Sequence, residues 1–204
     1  MGTMDTINII SFVVGIVGFI LSIYFGLEAR QLSEKVRKIT WADIELGMKY
    51  LSARILKEFK PDIILCSSGG SVGIVANLFL TYTDRFIPLY IGVSKKITEK
   101  FTSEPVYKAY YQTSRWITYI PEEVFEYKDK KILILEDVAL SGETLAKMVE
   151  LLVSKGINRK NILTATLYVT EMAITSNRTP DIYWHRLSDT HFYFPWGKST
   201  GKGY

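Results

Sequence analysis

The chain has 204 residues, 48% of them hydrophobic, which suffices for one domain of ordinary size and a short appendage. Its net charge is +4 with acids and bases interspersed, so the composition does not indicate a nucleic-acid-binding protein. Cys66 is the only cysteine, which excludes an intramolecular disulfide. With one cysteine and two histidines, the sequence has no cysteine pair for a structural zinc site of the usual cysteine–histidine type.

The N-terminal segment from Ile7 to Leu27 contains no charged residue. As a helix it would span roughly 30 Å, the hydrocarbon thickness of a bilayer. A cleaved signal peptide is the alternative, but it would need basic residues before the apolar run and a small-residue cleavage site after it. Here the residues before the apolar run contain the acid Asp5 and no basic residue. We therefore expect an uncleaved single-pass transmembrane anchor over residues 1–28.

Four basic residues follow the uncharged segment and no base precedes it, so the positive-inside rule places the C-terminal domain in the cytoplasm. These bases are Arg30, Lys35, Arg37 and Lys38. The polar, helix-prone residues in this stretch predict a juxtamembrane helical stalk over 29–40.

Small residues recur every three or four positions in the uncharged segment, which places them on one helix face. They are Ser11, Gly15, Gly18, Ser22 and Gly26. Such a row lets two membrane helices approach closely, and it predicts a homodimer within the bilayer. The alternative is that glycines are simply common in membrane helices.

A helix start is predicted at Thr40, with Thr40 as N-cap and Asp43 at the capping-box position. Apolar residues then recur at helical spacing as far as Phe59, so this helix packs one face on a sheet. A short buried strand from Asp62 enters a turn of small residues, and a further helix is predicted over 72–80. The turn residues are Ser67, Ser68, Gly69 and Gly70.

The stretch from Phe86 to Val93 predicts the next strand, and a long polar and aromatic region runs from Ser94 to Tyr127. The later run from Ile162 to Val169 predicts another buried strand.

The most informative stretch lies between these two strands. Four consecutive aliphatic residues, Ile132 to Leu135, predict a strand buried on both faces of a parallel sheet. The acids Glu136 and Asp137 follow, then a turn of small and hydroxyl residues and a helix over 145–155. A turn that opens a helix is a phosphate site, because free N–H groups and the helix dipole face one point. With two acids placed for sugar hydroxyls, the pattern indicates a phosphorylated sugar. An ordinary buried strand followed by a capped helix is the alternative.

These residues resemble the phosphoribosyl diphosphate (PRPP) motif of the type I phosphoribosyltransferases of purine or xanthine type. The resemblance implies that Glu136 and Asp137 bind the ribose hydroxyls and that the turn binds the 5′-phosphate. The turn residues are Ala139, Leu140, Ser141, Gly142, Glu143 and Thr144. Many purine-type members carry an acid, thought to act as general base, where this chain has Leu140. No residue is therefore assigned as certainly catalytic.

The resemblance covers residues 41–197 and implies roles for other segments. The turn from Ser67 to Gly70 would bind diphosphate, although the family often has a basic residue where Ser68 stands. The region 94–127 would contain a mobile flap. The stretches Asp181 to Trp184 and Asp189 to Gly197 resemble the hood that recognises the base. At two positions that contact the base in the family, this chain differs. Thr170 stands where the family has a basic residue, and His191 stands where it has an aromatic residue that stacks on the base. Residues 198–204 are expected to be a disordered tail.

We therefore expect an α/β fold with a mostly parallel sheet flanked by helices and preceded by one transmembrane helix. The resemblance implies an enzyme that binds PRPP with Mg²⁺, held mainly by substrate oxygens and water, and transfers phosphoribosyl to a nitrogenous base with release of diphosphate. The alternative is a degenerate sensor of PRPP or a ribose 5-phosphate nucleotide, which the neutral residues at Ser68, Leu140 and Thr170 favour. A third class is a membrane effector that only borrows the fold. The balance favours the enzyme.

Overall fold

The computed structural model describes residues 15–25, 37–67, 70–98, 107–188 and 192–198. The chain divides into two compact units. One comprises Met1–Ile39 together with His191–Tyr204, and the other comprises Thr40–Thr190.

From residue 37 onward, the elements of both units follow one another along the chain, and strands alternate with helices through much of the larger unit. In chain order they are β1 (Arg37–Lys38), α1 (Trp41–Glu58), β2 (Ile63–Cys66), α2 (Gly70–Thr81), β3 (Leu89–Ile91), β4 (Val93–Lys96), β5 (Tyr110–Gln112), β6 (Trp116–Tyr119), a 3₁₀ helix (Glu122–Glu126), β7 (Ile132–Ala139), α3 (Glu143–Ser154), a 3₁₀ helix (Arg159–Asn161), β8 (Ile162–Thr170), α4 (Glu171–Thr175), β9 (Ile182–Leu187), β10 (Phe192–Phe194) and β11 (Gly197–Lys198).

A five-stranded parallel sheet in the order β3-β2-β7-β8-β9 forms the centre of the larger unit. Its middle strand β7 begins with the four predicted aliphatic residues, all fully buried, because helices and loops cover both faces of the sheet. Apolar residues of α3, among them Met148 and Leu152, join the sheet core around Ile63 and Ile134. The predicted α/β fold with a mostly parallel sheet is confirmed.

The predicted start of α1 is also confirmed. The Thr40 hydroxyl accepts a hydrogen bond from the Asp43 N–H at 3.2 Å, and the Asp43 carboxylate accepts one from the Thr40 N–H at 2.8 Å. This reciprocal capping box satisfies two N–H groups at the helix start. Gly47 of the same helix packs against the Trp184 ring so closely that an added Cβ would lie 2.5 Å from a ring carbon.

The predicted single strand from Phe86 to Val93 is wrong, because the chain changes sheets at Gly92. Its N–H donates to the Cys66 carbonyl at 3.0 Å and ends the pairing of β3 with the central sheet. The next residues form β4 of a separate antiparallel sheet in the order β4-β6-β5. A Cβ at Gly92 would lie 3.0 Å from both Thr118 Cγ2 and the Tyr119 carbonyl oxygen, so only glycine fits comfortably at this crossing.

The residues from Asp181 to Trp184, expected in the base-recognising hood, belong instead to the central sheet. Strand β9 lies at the sheet edge, parallel to β8, with Ile182 opposite Ala165. The Asp181 carboxylate accepts hydrogen bonds from the Thr164 N–H and hydroxyl, both at 2.8 Å, and one from Arg159. This contact between residues 17 positions apart fixes where β9 starts, and the mixed polar and apolar sequence of Ile182–Leu187 alone did not reveal it.

The smaller unit contains a three-stranded sheet in the order β1-β10-β11. Strand β1 pairs in parallel with β10, Arg37 opposite Phe192, and the Ile39 N–H extends the pairing to the Tyr193 carbonyl at 2.9 Å. The predicted helical stalk over 29–40 is therefore wrong at its end, since cross-strand hydrogen bonds hold Arg37–Lys38 extended. Residues 29–36 lie outside the described residues.

Residues 15–25 are helical, and the side chains of this segment are exposed. Within the described ranges, no helix is both long enough and apolar enough to cross a bilayer. Much of the predicted anchor, including residues 7–14, lies outside these ranges, as do Ser11 and Gly26 of the predicted dimer face. Around Gly15 and Gly18 there is open space where a Cβ would lie.

Candidate functional site

The carboxyl ends of β2, β7 and β8 lie side by side, because these strands are parallel neighbours. Their last residues and the turns after them therefore meet at one edge of the sheet. This edge collects Ser67 from β2, the acid pair from β7 and Thr170 from β8. It is the edge where ligands bind in open parallel sheets.

Glu136 is buried, with 6% of its surface exposed, and its Oε1 accepts a hydrogen bond from the Ser67 N–H at 2.7 Å. Burial raises the pKa of this carboxyl to about 8, the nearby Asp137 adds to the rise, and the hydrogen bonds from Ser67 oppose it. At pH 7 the neutral acid therefore predominates. In this position Glu136 holds the start of the turn after β2, and its contact with ribose stays a prediction.

Asp137 lies in a more accessible place, because successive side chains of a strand point to opposite faces. Its Oδ1 accepts a hydrogen bond from the Val138 N–H at 2.8 Å. Burial raises the pKa of the neighbouring Cys66 thiol well above its usual value, and the charges of Glu136 and Asp137 add to this. The two acids thus have different environments, and Asp137 is the better placed to meet a ligand.

The turn after β7 leads directly into α3. Gly142 is the N-cap of α3 with φ +66°, a left-handed conformation that favours glycine. The Ser141 hydroxyl accepts a long hydrogen bond of 3.4 Å from the Glu143 N–H. Within the described residues, the backbone N–H groups of Thr144 and Leu145 donate no hydrogen bond. These free donors at the start of a helix suit an anion.

Two residues from later in the chain, Thr170 and Arg178, contact the turn after β7. The Thr170 hydroxyl donates a hydrogen bond to the Leu140 carbonyl, and Thr170 is buried. The Arg178 backbone lies so close to Gly142 that a Cβ there would be 2.2 Å from the Arg178 carbonyl oxygen. The structure thus gives Thr170 a role that its sequence context did not suggest. Its predicted base contact stays a prediction, and His191, the other predicted residue of the base hood, lies outside the described residues.

The small antiparallel sheet β4-β6-β5 occupies the region predicted as a flap. On its buried side lie Tyr111 and Thr118, and the Thr118 and Ser94 hydroxyls are 2.5 Å apart. Burial, with a smaller contribution from the charge of Glu136, raises the pKa of the Tyr111 phenol. Residues 99–106 of this region lie outside the described residues.

Sequence reasoning missed a contact between this sheet and the start of α3, at the end of the turn after β7. The Glu143 carboxylate accepts hydrogen bonds from the Ser114 N–H at 2.9 Å and from the Ser114 hydroxyl at 3.0 Å. The partners are 29 residues apart, and no local pattern marks either of them.

For a metal, the described residues offer no group of three or more His, Cys, Asp or Glu side chains. Asp137 at the strand end and the free N–H groups of α3 suit a substrate that brings Mg²⁺ on its own oxygens. Of the predicted diphosphate turn, Ser67 is placed by its bond to Glu136 and Gly70 begins α2, whereas Ser68 and Gly69 lie outside the described residues.

Comparison with known proteins agrees with this arrangement. A family model described as Phosphoribosyl transferase domain matches residues 40–199. A purine phosphoribosyltransferase from Pyrococcus horikoshii is similar in structure at 24% identity and TM-score 0.57, over 79% of this chain and 93% of its own. The xanthine-guanine-hypoxanthine phosphoribosyltransferase of Helicobacter pylori matches at 17% identity and TM-score 0.57, over the same shares.

A third solved structure, of a Neisseria gonorrhoeae protein with bound ppGpp, matches at 18% identity and TM-score 0.55, over 79% of this chain and 89% of its own. At such identities these likenesses establish the fold. The comparison with curated protein sequences gave no match.

Proposed function

Because the chain belongs to the phosphoribosyltransferase domain family, we propose that it binds PRPP at the carboxyl edge of its central sheet and transfers the phosphoribosyl group to a nitrogenous base. The observation that carries this proposal is the loop of residues 139–144. It opens α3 with free N–H groups at Thr144 and Leu145 and begins two residues after Asp137.

Each part of the edge has a task in this reaction. The loop N–H groups bind the 5′-phosphate, and Asp137 accepts hydrogen bonds from the ribose hydroxyls. Glu136 holds Ser67, so that the turn after β2 is in place for the diphosphate. A nitrogen of the base attacks C1 of the ribose while the bond from C1 to the diphosphate breaks and the electron pair leaves with the diphosphate. Mg²⁺ bound with the substrate would neutralise part of the charge on this leaving group.

No proton acceptor is present at Leu140, where many purine-type relatives carry an acid. The acceptor base must therefore lose its proton to water or to another group. Loss of a positioned general base costs on the order of 10²–10⁴-fold in rate. Turnover is expected to be slow, with catalysis by positioning and by stabilisation of the leaving diphosphate.

A diphosphate-release assay on the full chain with PRPP, Mg²⁺ and a panel of purine and pyrimidine bases tests this function. We expect release with at least one base, reduced at least tenfold in Asp137→Asn. The matched control is Asp129→Asn, the same change at an exposed residue before β7, which leaves release unchanged. Release that is insensitive to Asp137→Asn would refute the assignment of the site.

A binding module is the second candidate. It is favoured by Leu140, which cannot take a proton, and by Thr170, whose hydroxyl is occupied by the Leu140 carbonyl. Such a protein would bind PRPP or a phosphorylated nucleotide without turnover. Calorimetry with PRPP and with ppGpp, the ligand of the similar Neisseria gonorrhoeae protein, distinguishes the two. Binding that is lost in Asp137→Asn, with no diphosphate release from any base, would establish the module.

Membrane attachment is a further part of the proposal. The uncharged segment from Ile7 to Leu27 and the bases after it support an anchor with the domain in the cytoplasm, and the small-residue face supports pairing of two anchors. Extraction of membranes at alkaline pH tests the anchor. The full chain should stay in the pellet and a chain lacking residues 1–28 should not. Equal release of both would remove this part of the proposal.

A further inference from the structure

The Glu143 carboxylate joins the candidate phosphate loop to the turn between β5 and β6. Both of its oxygens are engaged, one by the Ser114 N–H at 2.9 Å and one by the Ser114 hydroxyl at 3.0 Å. A two-point contact of this kind fixes direction as well as distance, and hydrogen bonds to a charged acceptor are the stronger kind. We call this contact the Ser114–Glu143 latch.

The turn that carries Ser114 is itself well ordered by hydrogen bonds. The Thr113 N–H donates to the Trp116 carbonyl at 2.9 Å, and the Thr113 hydroxyl accepts from the Trp116 N–H at 3.0 Å. Two hydrogen bonds between Thr113 and Trp116 thus close the turn that presents Ser114 to Glu143. Strand β5 also contacts α3, the helix that begins at Glu143.

Glu143 is an acid at the same helix start where a phosphate is proposed to bind. It is the first residue of α3 and follows Gly142 in the loop proposed to hold a phosphate. A negative side chain suits the helix dipole, but it repels a phosphate bound at the same helix start. The Ser114 donors neutralise part of this charge and hold it toward the hairpin, so the loop N–H groups stay available to the ligand.

We propose that the Ser114–Glu143 latch couples phosphate binding in the loop to the position of the β5–β6 hairpin, with both residues acting as positioning residues. The proposal rests on the proposed function, because it takes the loop of residues 139–144 as the phosphate site. Ligand binding orders the loop, the latch transmits this order to the hairpin, and loss of the latch uncouples the two.

The test is calorimetry of ribose 5-phosphate binding to the full chain in a double-mutant cycle. Ser114→Ala leaves the Glu143 charge less restrained, and we expect it to weaken binding about two- to tenfold, the effect of one hydrogen bond. Glu143→Gln removes the charge, and in that background Ser114→Ala should change affinity less than about twofold. The matched controls on α3 are Glu150→Gln and Ser154→Ala, which should bind like the wild type.

Hydrogen exchange of residues 110–119 gives the second readout, which a merely stabilising contact would not produce. Ribose 5-phosphate should slow exchange of this hairpin in the wild type and in both controls, but not in Ser114→Ala or Glu143→Gln. If the wild type binds and protection is the same in all variants, or the two substitutions act additively, the latch is refuted and the proposed function stands. If the wild type does not bind ribose 5-phosphate, the phosphate-loop assignment fails, and the latch with it.

Discussion

The buried carboxyl of Glu136 makes the stability of the fold depend on pH, and Glu136→Gln isolates this effect. Burial raises its pKa from 4.5 to about 8 in the folded chain. The folded state therefore holds the proton more tightly than the unfolded state. The contribution of this bound proton to the free energy of unfolding is fully present below pH 4.5. It decreases by about 1.4 kcal/mol per pH unit as pH rises toward 8. Across that interval the loss reaches about 5 kcal/mol.

Glutamine cannot ionise, and its carbonyl oxygen accepts the Ser67 N–H as Oε1 of Glu136 does. We expect Glu136→Gln to match the wild type within about 1 kcal/mol at pH 5, as a near-isosteric exchange. At pH 8 the variant should be the more stable by several kcal/mol, up to the loss of about 5 kcal/mol given above.

Urea unfolding at pH 5, 6, 7 and 8, with the exposed substitution Glu150→Gln as control, measures this difference. The free energy of unfolding of Glu150→Gln should differ from that of the wild type by the same amount at every pH. A difference between Glu136→Gln and the wild type that stays constant from pH 5 to pH 8 would refute the burial argument, since only titration of Glu136 makes it change.

Three other substitutions test the supports of the site and the fold. Gly142→Ala, whose Cβ would lie 2.2 Å from the Arg178 carbonyl oxygen at φ +66°, should destabilise by about 1–3 kcal/mol in urea unfolding and weaken ribose 5-phosphate binding in calorimetry. Thr170→Val loses the hydroxyl that donates to the Leu140 carbonyl and should cost about 1–3 kcal/mol, whereas Thr170→Ser should recover most of it; equal stability of the two would contradict the role assigned to the hydroxyl. Thr40→Ala removes the α1 cap and should lower stability by about 1 kcal/mol with binding unchanged; an altered affinity would contradict its purely structural role.

The parts of the fold that sequence predicted are those set by local patterns. The run Ile132 to Leu135 predicted a doubly buried strand, and the acids directly after it lie in the last half of that strand, β7. The capping box of Thr40 and Asp43 likewise needs only residues three apart. In both cases the physical cause lies within one element and its immediate neighbours.

The parts that sequence missed depend on contacts between distant residues. The change of sheet at Gly92 depends on its close approach to Thr118, which no residue near Gly92 announces. The hydrogen bond that Glu136 accepts comes from the Ser67 N–H, 69 residues away. The environment of each acid at the sheet edge was therefore beyond pattern reading, although the presence of the pair was not.

The most direct test of the phosphate-loop assignment is a crystal structure of the full chain grown with ribose 5-phosphate. We expect the phosphate within hydrogen-bond distance of the Thr144 and Leu145 N–H groups, with a ribose hydroxyl on the Asp137 carboxylate. A ligand bound elsewhere, or a loop of residues 139–144 left without phosphate at saturating ligand, would contradict it.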